Sequence, residues 1–420
     1  MSGPILIFDK SALESLSGDE AVWLDNFFIT NITPLFFIEV FADLEKQVRA
    51  GRTPEEVVGN LAYKTPDLQS SPNAHHRTLL NGELLGIDTV VMDGRGILTG
   101  ARPVTLEGST GLMFPKTPEQ EAFERWQRRE FLDLERHVAR MWRQALSNFN
   151  YDKTYHFFQK WYKNGKPKTL ADVRALADAN IERTDQEAGL RFGMTLLGIP
   201  MDRQQEVMTR WQNVGKPPIR EFAPYFRYVY SVDLFFYLAI AADLISRVRP
   251  AGKADNKVDL AYLYYLPFCK VFTSGDNLHE RMVPLFMREN QRFIKAPELK
   301  ADLRKLDEHY SALPEEVKIR GLSSFADYPP TDTGFLVTRL WDLYFPNWRL
   351  KADKRELSKE LQDVLMNLVK KIEHESRAIN PERLPTISEA DYVQMQRSVM
   401  FRKGKWRRFP PEVQQQQKQS

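Results

Sequence analysis

The feature that most constrains the fold is a four-residue apolar run, Ile5–Phe8, that ends directly in Asp9. A short continuous apolar run of this kind is typical of a strand buried on both faces of a parallel sheet. Ser11 begins a helical stretch directly afterwards, residues 29–34 alternate like a second short strand, and residues 36–49 have the apolar spacing of a helix. This succession of strands and helices predicts an α/β fold with a parallel sheet.

Short apolar runs of the same kind return only after a long stretch with a different sequence pattern. Polar and irregular sequence is followed by capped helical patterns, and short apolar strands resume near residue 268. Because insertions enter at surface loops and add little loop entropy, we interpret the α/β domain as split by a mostly helical insertion. The predicted segments are 1–50 and 224–290 for the two halves of that domain, 51–223 for the insertion, 291–396 for a helical C-terminal extension, and 397–420 for a basic, Gln-rich tail.

Local patterns predict individual elements within these segments. A hairpin is predicted at 88–98, where apolar residues flank an Asp-Gly pair. One long helix is predicted at 117–149, because Thr117 and Gln120 have the spacing of a capping box. Further predicted elements are helices at 225–248, 255–266 and 279–288 and a strand at 268–273.

Composition limits the possible partners and compartments. The chain has 420 residues and a net charge of only +3, so any nucleic-acid surface must come from local clusters of basic residues. One cysteine, Cys269, excludes a disulfide framework and a cysteine-rich zinc site, and its apolar surroundings indicate an inert core thiol. The longest apolar run, Leu234–Ala242, is too short to span a bilayer, and the first residues lack a signal-peptide pattern. We therefore expect a cytoplasmic protein without a membrane partner.

Four carboxylates stand at predicted strand ends or in the first turns of helices: Asp9, Glu39, Asp259 and Asp276. Ligands of open α/β sheets bind beyond the carboxyl ends of the strands, where these side chains are expected to meet. Carboxylates gathered at one point repel one another unless a divalent cation lies between them, and Mg²⁺ or Mn²⁺ prefers such hard oxygen ligands. Each acid could instead be a helix cap or a solvated polar residue, and Asp255 competes with Asp259 for its role.

The residues around these acids resemble the PIN-domain family of metal-dependent nucleases, which includes the toxins of bacterial toxin–antitoxin pairs. IFDKSAL at 7–13 is similar to the family's opening strand, acid and helix start, and FFIEVFADL at 36–44 is similar to its helix with the second acid. Asp259 and Asp276, with Ser274 two residues before the latter, are similar to its closing motif. The insertion and the C-terminal extension depart from the small toxins.

The resemblance implies a three-layer α/β/α fold, here interrupted by the insertion and followed by the extension. It also implies an Mg²⁺ or Mn²⁺ site and hydrolysis of RNA or, in some branches, DNA. The four acids would be the metal ligands and catalytic residues, and Ser274 would orient one carboxylate by a hydrogen bond.

Two basic segments are candidates for contact with nucleic acid. Residues 151–168 combine lysines with aromatic residues, and 397–408 contain six basic residues and no acid. Basic groups contact phosphates and aromatic rings stack on unpaired bases. The first segment is equally compatible with a helix that has core aromatics and a solvated lysine face. The predicted contact residues are Lys160, Lys163, Arg402, Lys403, Lys405, Arg407 and Arg408.

The sequence thus favours a PIN-like, metal-dependent nuclease that acts on RNA in preference to DNA. One alternative is a non-catalytic nucleic-acid-binding or protein-binding module on the same fold, and a second is a phosphatase of another α/β family. A protein inhibitor or a second copy of the chain is a possible further partner. His75-His76 is interpreted as part of a polar loop, because no other metal-ligating residue stands at a suitable spacing.

Overall fold

The computed structural model describes residues 3–49, 51–147, 151–162, 165–183, 185–245, 257–352, 377–378 and 389–411. Its strands are β1 (Ile5–Phe8), β2 (Ile29–Ile32), β3 (Ser70–Pro72), β4 (Arg102–Leu106), β5 (Ser109–Phe114), β6 (Val271–Ser274), β7 (Arg292–Lys295), β8 (Arg377–Ala378), β9 (Tyr392–Met395), β10 (Arg402–Lys403) and β11 (Trp406–Arg407). The fold is mixed α/β, as the sequence predicted.

The described helices outnumber the described strands, and helices pack on both faces of the main sheet. Before residue 150 they are α1 (Lys10–Ser15), α2 (Gly18–Phe27), α3 (Pro34–Arg49), α4 (Pro54–Lys64), α5 (His76–Leu85), α6 (Pro118–Gln127) and α7 (Asp133–Ser147). Up to residue 262 they are α8 (Tyr151–Gln159), α9 (Leu170–Arg183), α10 (Gln186–Leu196), α11 (Met201–Asn213), α12 (Ile219–Phe222), α13 (Pro224–Ala241) and α14 (257–262). The last ones are α15 (Asn277–Met282), α16 (Ala296–Ser311), α17 (Glu315–Lys318), α18 (Leu336–Tyr344) and α19 (Trp348–Ala352). Short 3-10 helices occupy Leu263–Phe268, Val283–Leu285 and Leu322–Ser324.

Five parallel strands form the main sheet in the order β3-β2-β1-β6-β7. The central strand β1 pairs with β2 on one side, and on the other side Phe8 of β1 lies opposite Thr273 of β6. The strands predicted at 5–8 and 268–273 are therefore neighbours in one sheet. The edge strands β3 and β7 have few apolar residues and lie outside the ranges predicted for the two halves of the domain.

Alternate side chains of β1 enter different hydrophobic cores. Leu6 and Phe8 pack into a core with α1 to α4, α6, α16 and α18, whereas Ile7 packs into a second core with α5, α9 to α11 and α13. Both faces of the sheet are thus buried, which explains why β1 is a continuous apolar run without polar alternation. The two cores cover the faces of the sheet but not the carboxyl ends of its strands, and Asp9 lies at that end of β1.

The hairpin predicted at 88–98 is wrong. These residues form an extended segment without strands, because their polar backbone groups bond elsewhere: the Gly94 N–H donates to the carbonyl of Pro267 and the Ile97 N–H donates to the Asn73 side chain. The hairpin lies just beyond, between β4 and β5, where Glu107 and Gly108 both have positive φ angles of 50° and 85°. Such a two-residue turn matches the twist of the flanking strands.

Three predicted helices have different ends. The 117–149 helix begins with the predicted capping box of Thr117 and Gln120 but is divided into α6 and α7, and Arg129 between them has a φ of 60°. Helix α13 ends at Ala241, seven residues before the predicted end, and Asp243 follows with a φ of 59°. The stretch predicted as one helix up to residue 266 changes from α14 to a 3-10 helix that runs through Pro267.

The basic segment 397–408 does not form a solvated tail. Strands β10 and β11 make a small antiparallel hairpin, and the Trp406 ring is 3% exposed and lies 4.8 Å from the Trp23 ring. Lys403 and Arg408 are buried as well. Trp406 therefore belongs to the core that covers one face of the sheet, and the hairpin packs onto it.

Candidate functional site

Asp9 lies at the carboxyl end of the central strand and is 2% exposed. It is the N-cap of α1, where Oδ1 accepts a hydrogen bond of 2.8 Å from the Ala12 N–H. The Ser11 hydroxyl donates to the same carboxylate at 2.8 Å, and the Ser274 hydroxyl donates to Oδ2 at 2.5 Å. The predicted orienting role of Ser274 agrees with this geometry, because its hydroxyl bridges β6 and β1.

His279 was not predicted as a site residue from the sequence, and it is completely buried beside Asp9. Its Nδ1 lies 3.4 Å from Oδ2 of Asp9 and 2.7 Å from the Ser274 hydroxyl, and its Nε2 lies 2.7 Å from the carbonyl oxygen of Asp259. The single hydroxyl hydrogen of Ser274 goes to Asp9, so Nδ1 must donate to Ser274; Nε2 faces a carbonyl and must donate too. Both ring nitrogens therefore carry hydrogens, and His279 is an imidazolium cation.

The opposite charges of Asp9 and His279 stabilise each other. Burial alone would raise the pKa of Asp9, but the hydrogen bond and charge of His279, with the hydrogen bonds from Ser274 and Ala12, hold it below its usual value. Burial alone would lower the pKa of His279, but the hydrogen bond and charge of Asp9, followed by the charge of Asp259, raise it to about 9. The sequence signal that points to His279 is its position one helical turn after Asp276.

The free energy of unfolding should depend on pH because of the charge of His279. The pKa of His279 is about 9 in the folded protein, whereas an unfolded histidine titrates near 6.5, so its contribution is complete below about pH 6.5 and is lost as the pH rises through about 9. We expect about 3 kcal/mol of the free energy of unfolding to disappear across that window. Urea unfolding from pH 6 to pH 10 in chelator should show this loss in the parent protein and a shallower one in His279→Gln. Parallel curves for the two proteins would show that His279 is not charged.

Glu39 points from α3 into the same region. Its Oε2 accepts hydrogen bonds from the Lys10 backbone N–H at 3.2 Å and from the Tyr262 hydroxyl at 2.7 Å. Part of the residue stays exposed, but protein atoms surround the carboxylate; this burial, and then the negative charges of Asp9 and Asp259, raise its pKa to about 8. The structure therefore brings the first three predicted acids into one electrostatic cluster.

Asp276 is connected to this cluster through its backbone. Its N–H donates to the Ser274 hydroxyl at 2.9 Å, whereas its carboxylate accepts a hydrogen bond of 2.5 Å from the Leu278 N–H and caps α15. Its role as a fourth metal ligand stays a prediction, and Asp255 lies outside the described residues. Within the ranges that the structure describes, no group of three or more His, Cys, Asp or Glu side chains is arranged to hold a metal ion.

The predicted nucleic-acid contacts are only partly on the surface. Arg402 and Lys405 are exposed and Arg407 is half-buried, but Lys405 forms an ion pair with Asp307. Lys160 is exposed after α8, and Lys163 lies outside the described residues.

Lys403 and Arg408 are not available for phosphates, which corrects the prediction for these two residues. Arg408 donates to both Asp25 and Asp67 inside the protein, and Lys403 donates to the carbonyl of Thr65 at 2.8 Å. The basic pattern in the sequence was misleading because its acidic partners stand more than 300 residues earlier in the chain.

Other predictions about single residues agree with the structure in part. Cys269 is buried, and burial raises the pKa of its thiol to about 12, as expected for an inert core thiol. His75 and His76 do not lie in a loop, because His75 caps α5 and His76 is its first residue. Of the helices described, none is long and apolar enough to cross a membrane.

Comparisons with known proteins add no relative on which to base an interpretation of this site. No family model matches the sequence, and no curated protein or solved structure shows significant similarity to it.

Proposed function

We propose that this chain is a PIN-like nuclease that hydrolyses phosphodiester bonds with the help of Mg²⁺ or Mn²⁺, and that RNA is its preferred substrate. The observation that carries the proposal is the contact of Glu39 with the Lys10 N–H directly after Asp9, at the carboxyl end of β1, with His279 joining Asp9 to the backbone of Asp259. The charges of Asp9 and Asp259 accordingly contribute to the raised pKa of Glu39. This edge of a parallel sheet is where α/β proteins bind ligands. Helices over both faces of the sheet support a three-layer α/β/α arrangement with a helical insertion and extension.

The donor set has the chemistry that a divalent ion requires. Asp9, Glu39 and Asp259 offer hard carboxylate oxygens, which divalent cations prefer as ligands. The negative charges of Asp9 and Asp259 raise the pKa of Glu39, and a bound cation would relieve this repulsion. When bound, such an ion activates water and neutralises charge on the phosphodiester. Among the described residues these carboxylates do not form a complete coordination sphere. Their position at the sheet edge and their negative charge are what support a metal site.

The chain's own residues prepare these acids for their role. Ser274 and His279 hold Asp9 in its ionised form, and the Lys10 N–H and the Tyr262 hydroxyl fix one oxygen of Glu39. Since the pKa of Glu39 is about 8, this carboxyl is largely protonated at pH 7 without a ligand and must lose its proton to bind a cation.

The test is a titration with Mn²⁺ and a cleavage assay on single-stranded RNA, matched DNA and a phosphomonoester. We expect RNA cleavage with Mn²⁺ or Mg²⁺, none with chelator, and an ion affinity that rises about tenfold per pH unit up to about pH 8. Glu39→Gln should lower cleavage by about 10- to 100-fold. The matched control is Glu280→Gln, because Glu280 is a surface carboxylate paired with Lys295 and should be without effect. Cleavage that persists in chelator, or that Glu39→Gln leaves unchanged, would contradict the proposal, and preferential phosphomonoester hydrolysis would favour a phosphatase.

One observation favours a second candidate, a non-catalytic module on the same fold. The imidazolium of His279 already neutralises Asp9 in the absence of an ion. In that case the protein would bind nucleic acid or a protein without cleavage, and Mn²⁺ would leave its thermal stability unchanged.

A further inference from the structure

A second feature of the molecule is a cavity between α3, α5, α10, α13 and α14. Its volume is about 490 Å³, which lies within the range of sites for small organic ligands. Its walls are mostly apolar, with Leu35, Ile38, Leu80 and Val229 among the lining residues. A cavity of this size beside a small number of polar groups has the composition of a binding pocket and not of a packing defect.

The polar groups of the cavity form one buried cluster. Asp233 is 3% exposed, and its Oδ1 accepts a hydrogen bond of 2.7 Å from Nζ of Lys257 and another from the Tyr264 hydroxyl. The second oxygen, Oδ2, has no hydrogen-bond partner in the described part of the chain. A carboxylate oxygen that is nearly buried and still has acceptor capacity fits a ligand that brings an N–H donor.

Aromatic rings form the sides of the same cavity. Tyr264 and His76 both line it, with ring centroids 5.1 Å apart, and Tyr237 lies beneath Nζ of Lys257 at 5.0 Å. Burial keeps the pKa of His76 well below its usual value, so its ring is neutral. Neutral and electron-rich rings of this kind stack well on planar heteroaromatic ligands.

The mouth of the cavity carries a positive charge. Arg77 and Gly198 line the cavity and are exposed, which places them at its opening. The side chain of Arg77 has no ion pair among the residues that the structure describes. A guanidinium at this position is suited to a phosphate group attached to a ligand whose planar part lies deeper.

The cavity and the carboxylate site both adjoin α14 and the 3-10 helix that follows it, but they share no lining residue. Lys257, Ala261 and Tyr264 line the cavity, whereas Tyr262 donates to Glu39 and does not line it. Their spacing of four and three residues places the first three side chains on one helical face. The cavity is therefore separate from the acids of the proposed metal site.

We propose that this cavity binds the base of a nucleotide that carries an exocyclic amino group, such as adenine or cytosine. Oδ2 of Asp233 accepts a hydrogen bond from the amino group, the rings of Tyr264, His76 and Tyr237 surround the base, and Arg77 contacts the phosphate. The ligand is either a free nucleotide or one residue of a strand. The proposal goes beyond the nuclease proposal and does not depend on it, since nucleotide binding here requires neither metal nor cleavage.

The experiment is calorimetric titration of the full chain in chelator with AMP, IMP, CMP and UMP. We expect AMP and CMP to bind about tenfold or more tightly than IMP and UMP, because the latter present a carbonyl oxygen to the carboxylate in place of an amino group. A single-stranded oligoadenylate titrated in parallel distinguishes the two sources of the ligand. Work in chelator keeps the outcome independent of the proposed metal site.

Two pairs of variants locate the binding. Leu197→Trp fills the half-buried rim of the cavity and should weaken AMP binding about tenfold or more, whereas Val214→Trp at an exposed position outside it should not. Arg77→Ala should weaken AMP several-fold but leave adenosine unaffected, and Arg191→Ala, which removes the same charge from the surface of α10, should change neither.

Each outcome has a definite meaning. AMP binding that is sensitive to Leu197→Trp supports a free nucleotide as the ligand, and binding of oligoadenylate alone with the same sensitivity supports a base of a strand. Binding of neither ligand, equal affinity for AMP and IMP, or binding that Leu197→Trp leaves unchanged would overturn the proposal.

Discussion

Asp9→Asn is expected to reduce phosphodiester cleavage by about 1000-fold and to remove the stabilisation by Mn²⁺. The carboxylate is buried at the end of the central strand and contacts Ser274 and His279. A ligand that binds only the folded state stabilises it by mass action, so a variant that loses the ion also loses this stabilisation. Cleavage rates and melting curves with chelator and with Mn²⁺ measure both effects.

The same variant should also be less stable without metal. Asn keeps the hydrogen-bond acceptor for the Ala12 N–H but leaves the imidazolium of His279 without its counter-charge in a buried site. Breaking a buried pair in this way costs about 3 kcal/mol, unless His279 loses its proton. The control is Asp133→Asn, which changes a solvent-exposed acid of α7. If Asp9→Asn matches its parent in cleavage and in Mn²⁺-dependent stability, Asp9 is only a helix cap.

Arg408→Met is expected to destabilise the protein by about 3 to 5 kcal/mol, although the residue lies near the C-terminus. Its guanidinium is 2% exposed and donates to Asp25 at 2.7 Å and to Asp67. Removal of the cation leaves the buried Asp25 and the half-buried Asp67 with Lys403 and Arg397 as the nearby cations among the described residues. Urea unfolding of the full chain measures the loss, and Arg402→Met, in the same hairpin but exposed, should change stability by less than about 0.5 kcal/mol.

The acid response of this cluster gives an independent check. Burial would raise the pKa of Asp25, but the charges of Arg408 and Lys403 lower it to about 2. An acid with a lowered pKa contributes stability that is present above about pH 4 and is lost as the pH falls towards 2. In Arg408→Met the pKa of Asp25 should rise towards its unfolded value, so this loss should become smaller, and an unchanged acid response would contradict the assigned pairing.

The sequence predicted the centre of the fold better than its borders. β1 and β6 are buried on both faces, so their apolar runs were visible without a structure. The edge strands β3 and β7 have SSP and RFIK as their sequences and join the sheet through backbone bonds that no side-chain pattern reveals. The hairpin at 88–98 was predicted from local turn residues, but contacts with Asn73 and Pro267 determine the conformation there.

The site could be predicted only as a set of acids. Asp9, Glu39 and Asp259 were predicted as site residues because strand ends and helix starts can be read from local patterns, and the structure brings them near one another. His279 was not predicted, because its position one helical turn after Asp276 is a weak signal for a single histidine. Its charge matters for Asp9→Asn: acids clustered without a cation would repel, so the variant would stabilise the metal-free protein, whereas pairing with His279 predicts the opposite. Lys403 and Arg408 were misassigned because the acids that neutralise them are distant in sequence.

The pairing of β1 with β6 has a consequence for the order in which the chain can fold. Phe8 leaves the ribosome early, but its partner Thr273 follows only after most of the chain has been made. At about 5–20 residues per second the interval is on the order of tens of seconds. During that time β1 has an unpaired apolar edge, and the strand pair β1–β2 is open to other chains. Productive synthesis should therefore depend on protection of the nascent N-terminal segment, and slow translation before residue 271 should increase aggregation.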